Sequence, residues 1–184
     1  MTEFRCLAVP DVLEITPRRY GDDRGWFMET FSAARFADHG IDHGWVQDNQ
    51  SMSATRGTVR GLHFQRPPAA QAKLVRVVRG AIFDVAVDLR TGSTDFGRWV
   101  GVELTADRGN QLYVPIGFAH GFITLTDQCE VAYKVSAPYA PDQEGAVHWL
   151  DPTIGIDWPD VGVPANLSEK DQAALPLTAL ASPF

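Results

Sequence analysis

The stretch Ile82-Phe83-Asp84-Val85-Ala86-Val87-Asp88-Leu89 indicates the fold class most clearly. Every second residue from Phe83 to Leu89 is apolar, and successive side chains of a strand point to opposite faces. Asp84 and Asp88 therefore fall on the face opposite to the apolar one. This period of two predicts a half-buried β-strand whose two aspartates lie on a solvated face.

Similar short segments follow this strand and are separated by turn residues. The segments predicted as strands are residues 99–104, 111–114, 122–125 and 130–135. Turn signals such as Thr91-Gly92-Ser93 recur roughly every 8–12 residues, a spacing typical of antiparallel sandwiches and barrels. The sequence therefore predicts an antiparallel all-β domain.

Two short helices accompany the predicted strands. Ser32 can cap a helix over residues 33–37 that stops near Gly40, because a serine hydroxyl accepts from free backbone N–H groups and glycine tolerates a left-handed stop. A second helix is predicted at residues 169–174. From about residue 176, the C-terminal tail is expected to wrap over the barrel or to extend into solvent.

The composition suits one domain over residues 1–184, since 45% hydrophobic residues can fill a sizeable core. A net charge of −7 argues against a broad nucleic-acid surface. No long apolar run and no signal-peptide pattern occur, so we expect a soluble, cytoplasmic protein without membrane contact. Cys6 and Cys129 have no paired spacing and are expected to be reduced and passive.

Residues 60–65 (RGLHFQ) and 73–80 (KLVRVVRG) place basic groups in segments that otherwise read as buried strands. His63 is either a core histidine bonded to backbone or a general base, because imidazole titrates near neutral pH. Strict alternation separates His63 from Arg60. The two reach one cavity only if Gly61 marks a bulge or Arg60 lies at the strand mouth.

Four further side chains have both a structural and a chemical interpretation. Tyr133 is either an inward packing residue or a proton donor. Lys73 is either a solvated lysine at a strand end or a group that stabilises an oxyanion. His120, at the turn into a strand, either orients a ligand or caps the turn. Asp171 follows Ser168 with the spacing of a helix capping box, in which hydroxyl and carboxylate satisfy free N–H groups reciprocally.

Several motifs along the chain, taken together, resemble one known family. They are residues 21–27 (GDDRGWF), 46–49 (VQDN), 60–65 (RGLHFQ), 71–75 (QAKLV), 83–88 (FDVAVD), 96–97 (FG), 115–122 (PIGFAHGF) and 167–171 (LSEKD). Their order and content are similar to those of the dTDP-4-dehydrorhamnose 3,5-epimerases, from about Pro10 to Asp171.

The resemblance implies a cupin-like antiparallel β jelly-roll barrel with short flanking helices, and a homodimer. It also implies a cofactor-independent epimerase that inverts C3 and C5 of dTDP-4-dehydro-6-deoxy-D-glucose, in dTDP-L-rhamnose or related deoxysugar biosynthesis. Two alternatives remain: an enzyme that epimerises only C3 or C5 of an antibiotic deoxysugar, and a 4-keto-sugar ketoisomerase. A non-catalytic sugar-nucleotide-binding cupin is disfavoured because His63 and Tyr133 are both present.

The resemblance also implies a role for individual residues. His63 looks like the base, Asp171 its carboxylate partner, Tyr133 the acid on the opposite face of the sugar, and Lys73 the group at the ketone oxygen. The residues implied in substrate binding are Arg24, Glu29, Gln47, Asn49, Arg60, His120, Glu144 and Lys170, with Phe27 and Tyr139 beside the thymine and sugar. Gln65 stands where metal-dependent cupins have a second histidine, so no metal is expected.

Overall fold

Thirteen strands form the framework of residues 1–180 and 184, the part of the chain that this computed structural model describes. They are β1 (Glu3–Cys6), β2 (Leu13–Thr16), β3 (Arg19–Asp22), β4 (Gly25–Met28), β5 (Gln47–Ser53), β6 (Val59–Gln65), β7 (Lys73–Arg79), β8 (Ala81–Asp88), β9 (Trp99–Thr105), β10 (Gln111–Val114), β11 (Phe118–Thr124), β12 (Cys129–Val135) and β13 (Glu144–Ala146). The α-helices are α1 (Ala33–Ala37) and α2 (Glu169–Gln172), and short 3₁₀ turns cover Pro141–Gln143 and Leu177–Ala179.

The strands pair into two large antiparallel sheets and one separate hairpin. One sheet has the order β1-β2-β10-β7-β12-β5, and the other has the order β13-β6-β11-β8-β9. The hairpin consists of β3 and β4 alone. Sequence neighbours are often far apart in these sheets, because the chain crosses repeatedly between them. This arrangement confirms the expected all-β, cupin-like jelly roll.

A shared apolar interior holds the two large sheets together. Val75, Leu112 and Val131 enter it from the six-stranded sheet, while Ile82 and Phe122 enter it from the five-stranded sheet. Each of these side chains is less than 5% exposed, so each contributes roughly 1.5–3 kcal/mol of apolar transfer free energy. Facing apolar sides therefore fix the two sheets against each other.

Strand β8 is buried on both faces, which the alternation alone did not reveal. Its Val85 and Val87 pack under the C-terminal segment, together with Ile154. Asp84 and Asp88 point the other way and are each 0% exposed. The prediction of a solvated face for these aspartates is wrong, because that face is turned toward the interior between the sheets.

Most predicted elements are present, with shifted ends. Strand β11 begins at Phe118, four positions before the predicted start at 122, and α2 ends at Gln172 rather than 174. Ser32 precedes α1 as predicted, but its side chain makes no capping hydrogen bond, so that detail is wrong.

The C-terminal tail packs back onto the barrel where it is described. Leu177 is buried, and the ring of Phe184 lies 5.9 Å from that of Phe64. The rest of the predicted tail, residues 181–183, lies outside the described part of the chain. Among the helices described, none is long and apolar enough to cross a membrane.

Candidate active site

Residues from both large sheets line a cavity of about 510 Å³. Strands β6 and β11 contribute one wall, β7 and β12 contribute another, and the segment that ends in α2 covers part of it. The residues implied by the sequence that line this cavity are Arg60, His63, Lys73, His120, Tyr133, Lys170 and Asp171. Basic, acidic and phenolic groups are thus brought together in one cavity.

Arg60 and His63 both reach the cavity because β6 has an extra residue between them. His63 lies opposite His120 on β11, and Arg60 lies opposite Phe122, so three steps on β6 match two on β11. Gly61 has a φ of 134°, and a Cβ there would come within 2.5 Å of the β11 backbone. Glycine is therefore required, and the bulge removes the conflict with strict alternation.

His63 and Asp171 form a hydrogen-bonded pair at the cavity wall. The Nε2 of His63 lies 2.5 Å from Oδ1 of Asp171, and their side chains are 30% and 5% exposed. The backbone N–H of Asp171 donates to Oγ of Ser168 at 3.2 Å, so only half of the capping box is present. Burial raises the pKa of the Asp171 carboxyl, but the bond to His63 and the charge beside it outweigh burial and lower it. The carboxylate is thus ionised and holds the imidazole.

Tyr133 faces the cavity from the other sheet. It lies on β12, between Val131 and Val135 on the inward side of that strand, as the alternation predicted. Burial raises the pKa of its phenol, with a smaller opposing effect from the charge of Arg60. The phenol is therefore protonated at neutral pH and can donate a proton.

Lys73 begins β7 as predicted, but it is buried rather than solvated, with 9% of its surface exposed. Its Nζ donates to the carbonyl oxygen of His63 at 3.4 Å. Burial lowers the pKa of the ammonium from 10.5 to about 8, while Asp84 and Glu144 act in the opposite direction. The ammonium remains charged at pH 7, with room for another acceptor.

His120 forms a second histidine–carboxylate pair in the same wall. Its Nε2 lies 2.7 Å from Oδ1 of Asp84 on the neighbouring strand β8. His120 is a residue of β11 itself, so the alternative in which it caps the preceding turn is wrong. Burial lowers the pKa of the imidazole, although Asp84 opposes this effect. This ring is therefore neutral at pH 7.

Comparison with known proteins gives the same family throughout. A family profile described as dTDP-4-dehydrorhamnose 3,5-epimerase matches residues 6–179. The chain belongs to this family. A dTDP-4-dehydrorhamnose 3,5-epimerase from Sinorhizobium fredii is 50% identical to it over 181 residues, which cover 98% of this chain and 92% of the relative.

Two further epimerases are similar to this chain. One is a crystal structure of dTDP-6-deoxy-D-glucose-3,5-epimerase from Legionella pneumophila in complex with dTDP-4-keto-L-rhamnose. It superposes with a TM-score of 0.94 at 43% identity and covers 98% of this chain and 95% of its own. The other, a dTDP-4-dehydrorhamnose 3-epimerase from Streptomyces niveus, is 44% identical over 94% of this chain and 82% of its own.

A smaller pocket adjoins the main cavity of this epimerase-family protein and shares His63, Lys73 and Tyr133 with it. The sequence-predicted residues that line this pocket but not the main cavity are Gln47, Asn49, Tyr139 and Glu144. Glu144 accepts from the hydroxyl of Tyr139 at 3.0 Å and pairs with Lys170 at 2.5 Å. These contacts link the two pockets at one rim.

Arg24, Glu29 and Phe27 are not brought to the cavity of their own chain. Arg24 lies in the turn between β3 and β4, pairs with Asp22 at 2.5 Å and has an 89% exposed side chain. Glu29 follows the hairpin and pairs with Arg35 at 3.3 Å. Phe27 is 69% exposed. These three members of the implied binding set therefore lie outside the cavity of this chain.

Gln65 stands where a metal-dependent cupin would have a second histidine, and its amide is used for structure. Nε2 donates to the carbonyls of Ala69 at 2.7 Å and Pro138 at 3.1 Å, and Oε1 accepts from the N–H of Ala140. Within residues 1–180 and 184, no cluster of three or more His, Cys, Asp or Glu side chains could hold a metal ion.

Sequence reasoning missed Asp84 as a member of this site. The alternation of β8 placed it correctly on the face shared with Ala86, and small apolar Ala86 was the available sign that this face is inward. Ser168 was identified only as a cap, yet it also lines the cavity beside Asp171.

Proposed function

We propose that this protein inverts C3 and C5 of dTDP-4-dehydro-6-deoxy-D-glucose and releases dTDP-4-dehydro-L-rhamnose for dTDP-L-rhamnose or related deoxysugar biosynthesis. One observation carries the proposal: His63 and Tyr133 enter one cavity from opposite sheets. Epimerisation needs a base on one side of the ring and an acid on the other. The names of the relatives support the same substrate class.

His63 acts as the base. Its neutral imidazole removes the hydrogen on the carbon next to the C4 ketone, and the electron pair of the C–H bond becomes part of an enolate. Asp171, bonded to the ring at 2.5 Å, fixes its orientation and stabilises the imidazolium that forms. The proton now resides on His63, and the negative charge resides largely on O4.

Lys73 stabilises that charge. A hydrogen next to a ketone is a weak acid, so removal becomes fast only if the enolate oxygen meets a preorganised donor. The buried ammonium supplies one in a site with little water to screen it. No cofactor is proposed, because neither hydride nor electrons leave the substrate.

Tyr133 completes the inversion. Its phenol gives a proton to the carbon from the side opposite to His63, and the C4 ketone forms again. The phenolate then regains a proton from water, and the imidazolium loses one, so the enzyme returns to its initial state. The same sequence at the second carbon gives the doubly inverted sugar.

The remaining cavity residues bind the substrate. Arg60 suits the diphosphate, because its planar guanidinium makes paired charge-assisted hydrogen bonds. Lys170, in α2, lines the same cavity as Arg60. Gln47, Asn49 and Glu144 line the adjoining pocket and offer amide and carboxylate groups to sugar and base, with Tyr139 available for stacking.

Product formed in deuterated water tests the number of carbons inverted. Each reprotonated carbon takes up one solvent deuteron, so NMR is expected to show deuterium at both C3 and C5. Deuterium at C3 alone would assign the second candidate, a 3-epimerase, which the Streptomyces niveus relative favours. A product whose keto group has moved to C3 would assign a ketoisomerase and contradict the proposal.

We also propose that the protein works as a homodimer in which the β3–β4 hairpin reaches the partner's cavity. Trp26 and Phe27 on this hairpin are 58% and 69% exposed, which is a large apolar surface for a hairpin outside both main sheets. We call this β3–β4 hairpin the arm. Exchange of the arm would bring Arg24 to the diphosphate of the neighbouring site.

A mixture of two variants tests this exchange. Arg24→Ala is expected to raise KM about tenfold or more with little change in kcat, because the guanidinium binds a part of the substrate that does not react. His63→Ala is expected to be nearly inactive. If the arm crosses, a mixed dimer contains one site with both residues intact, and activity at low substrate rises above the sum of the separate variants.

Subunit exchange must occur before that assay, so the two variants are unfolded and refolded together, and each is also refolded alone. No rise in activity, from material whose dimer mass is confirmed by light scattering, would place Arg24 in its own subunit's site. A monomeric wild-type protein would contradict the homodimer. Residues 1–184 are proposed to fold as one cupin-like domain, and the cytoplasmic location stays a prediction.

A further inference from the structure

The carboxylate of Asp84 is a buried charge that the proposed reaction does not yet use. One of its oxygens, Oδ1, pairs with Nε2 of His120, and the other, Oδ2, is buried without a hydrogen-bond partner. Asp84 does not line the cavity but lies behind His120, which does. Burial of a charged group with 0% exposure and an unpaired oxygen costs free energy. We therefore expect this carboxylate to serve a function.

Lys73 is a buried cation that lines the same cavity as His120, the hydrogen-bond partner of Asp84. Its Nζ has one hydrogen bond, to the His63 carbonyl at 3.4 Å, and within the described residues it forms no ion pair within 4.0 Å. The ammonium therefore depends on charges at longer range. Asp84 is the largest favourable one and Glu144 is the next.

Other ionisable groups surround Lys73 on most of the neighbouring elements. They are Arg60 and His63 on β6, His120 on β11, Asp84 on β8, Tyr133 on β12, Glu144 on β13, and Lys170 and Asp171 on α2. On β10, the residue paired with Lys73 is the uncharged Val114. Asp171 bonds to His63 and Glu144 pairs with Lys170, whereas Asp84 keeps one buried carboxylate oxygen without a hydrogen-bond partner.

We propose that Asp84 is a positioning residue of this site, which keeps Lys73 in its charged form and holds His120 as a fixed, neutral hydrogen-bond acceptor facing the sugar. The inference rests on the proposed function, because it assigns Lys73 to the enolate oxygen. It gives the two histidine–carboxylate pairs of the cavity different tasks: the pair of His63 exchanges protons, and the pair of His120 does not.

The charge on Asp84 matters because burial lowers the pKa of the Lys73 ammonium. A lysine with a pKa of about 8 is still mostly protonated at pH 7, whereas loss of the nearest favourable charge lowers that pKa further. At the separations found inside a cavity, one unit charge shifts the pKa of such a group by about one unit or more. Without Asp84, Lys73 therefore loses much of its charge at the pH at which the enzyme works.

The hydrogen bond to Asp84 also sets the tautomer of His120. A neutral imidazole that donates from Nε2 has an unprotonated Nδ1, which can accept a hydrogen bond. In the described residues Nδ1 of His120 has no partner, and the ring lines the cavity. A sugar hydroxyl is the donor that suits this position.

NMR of the folded enzyme labelled with ¹³C at the lysine ε-carbon tests the proposal without any turnover. One lysine signal in the wild type is expected to titrate near pH 8, and its absence from Lys73→Met assigns it. In Asp84→Asn this titration is expected to move down by about one pH unit or more. The matched control is Asp88→Asn, another fully buried aspartate of β8, which pairs with Arg90 at 2.6 Å and should leave the titration in place.

Should Asp84→Asn fail to fold, Asp84→Ser removes the same charge with a smaller side chain and is measured instead. An unchanged Lys73 titration in the folded neutral variant, or an equal shift in Asp88→Asn, would overturn the proposal. This readout is independent of the reaction. If the wild type did not turn over the keto-sugar at all, the proposed function would fail while the titration still tested Asp84.

The pH profile of kcat supplies the second readout. Activity requires charged Lys73, so the wild-type profile is expected to fall as pH rises through about 8. Burial raises the pKa of Tyr133, so this acid stays protonated through that window. In Asp84→Asn the fall begins at least about one unit lower, and an unaltered alkaline limb would contradict the role of Asp84.

Discussion

Replacement of His63 with alanine is expected to lower kcat by about 10²–10⁴-fold, the range that a positioned general base contributes. The remaining cavity residues can still bind the substrate, so KM should change much less than kcat. Solvent deuterium should also fail to enter the unreacted substrate, because the group that removes the carbon-bound proton is gone. Steady-state kinetics and NMR of the recovered substrate measure both effects.

His39→Ala is the matched control for that experiment. His39 is exposed and stacks on Phe4 at 3.7 Å between ring centroids, away from the cavity. Loss of this imidazole should leave turnover within twofold or so of the wild type, since surface substitutions rarely cost much. Near-normal turnover of His63→Ala would remove the base assignment, even if the fold and the ligand-binding residues were all correct.

The fold class could be predicted because the strands carry their own signals. Strand β10 has its predicted limits, and β9 and β12 differ from theirs by one residue. Each has alternating apolar residues bounded by turn residues, which are properties of a short local segment. The shifted start of β11 has a similar cause, because Phe118 pairs with Asp88 across the sheet and no local pattern specifies that partner.

The burial of Asp84 could not be predicted, for a physical reason. Alternation divides a strand into two faces, but it does not say what covers each face. The outer face of β8 is covered by residues near the C-terminus, including Ile154 and Leu177, and the inner face is covered by the opposite sheet. These contacts join positions far apart in the chain, so the apparent polar face of β8 became its innermost one.

In the candidate site too, local contacts could be predicted from the sequence, whereas contacts between residues far apart in the chain could not. Asp171 had a strong local interpretation as a capping residue, and its N–H does bond to Ser168. Its carboxylate instead forms a hydrogen bond with His63, which is 108 positions away in the sequence. Only the family resemblance linked these two residues. Arg24 was implied by the resemblance as well, but it does not line the cavity of its own chain and pairs with Asp22 instead.

Replacement of Tyr133 with phenylalanine is expected to lower the rate of inversion by about 10²–10⁴-fold, with little change in binding. The phenyl ring keeps the packing against the interior, so only the acidic hydrogen is lost. His63 remains able to remove and return a proton on its own side of the sugar. Deuterium should therefore enter the substrate with its configuration retained, in contrast to His63→Ala, in which exchange itself is lost.

Tyr113→Phe provides the comparison for this variant, because it removes a hydroxyl from another tyrosine, which is buried. The oxygen of Tyr113 bonds to Nε2 of His43 at 2.7 Å outside the cavity, so its loss should cost about 1 kcal/mol of stability and leave epimerisation intact. Exchange without inversion in Tyr133→Phe alone would assign the acid to one face and the base to the other. Inversion at the wild-type rate would require a different proton donor, because no other phenol lines the larger cavity in the described residues.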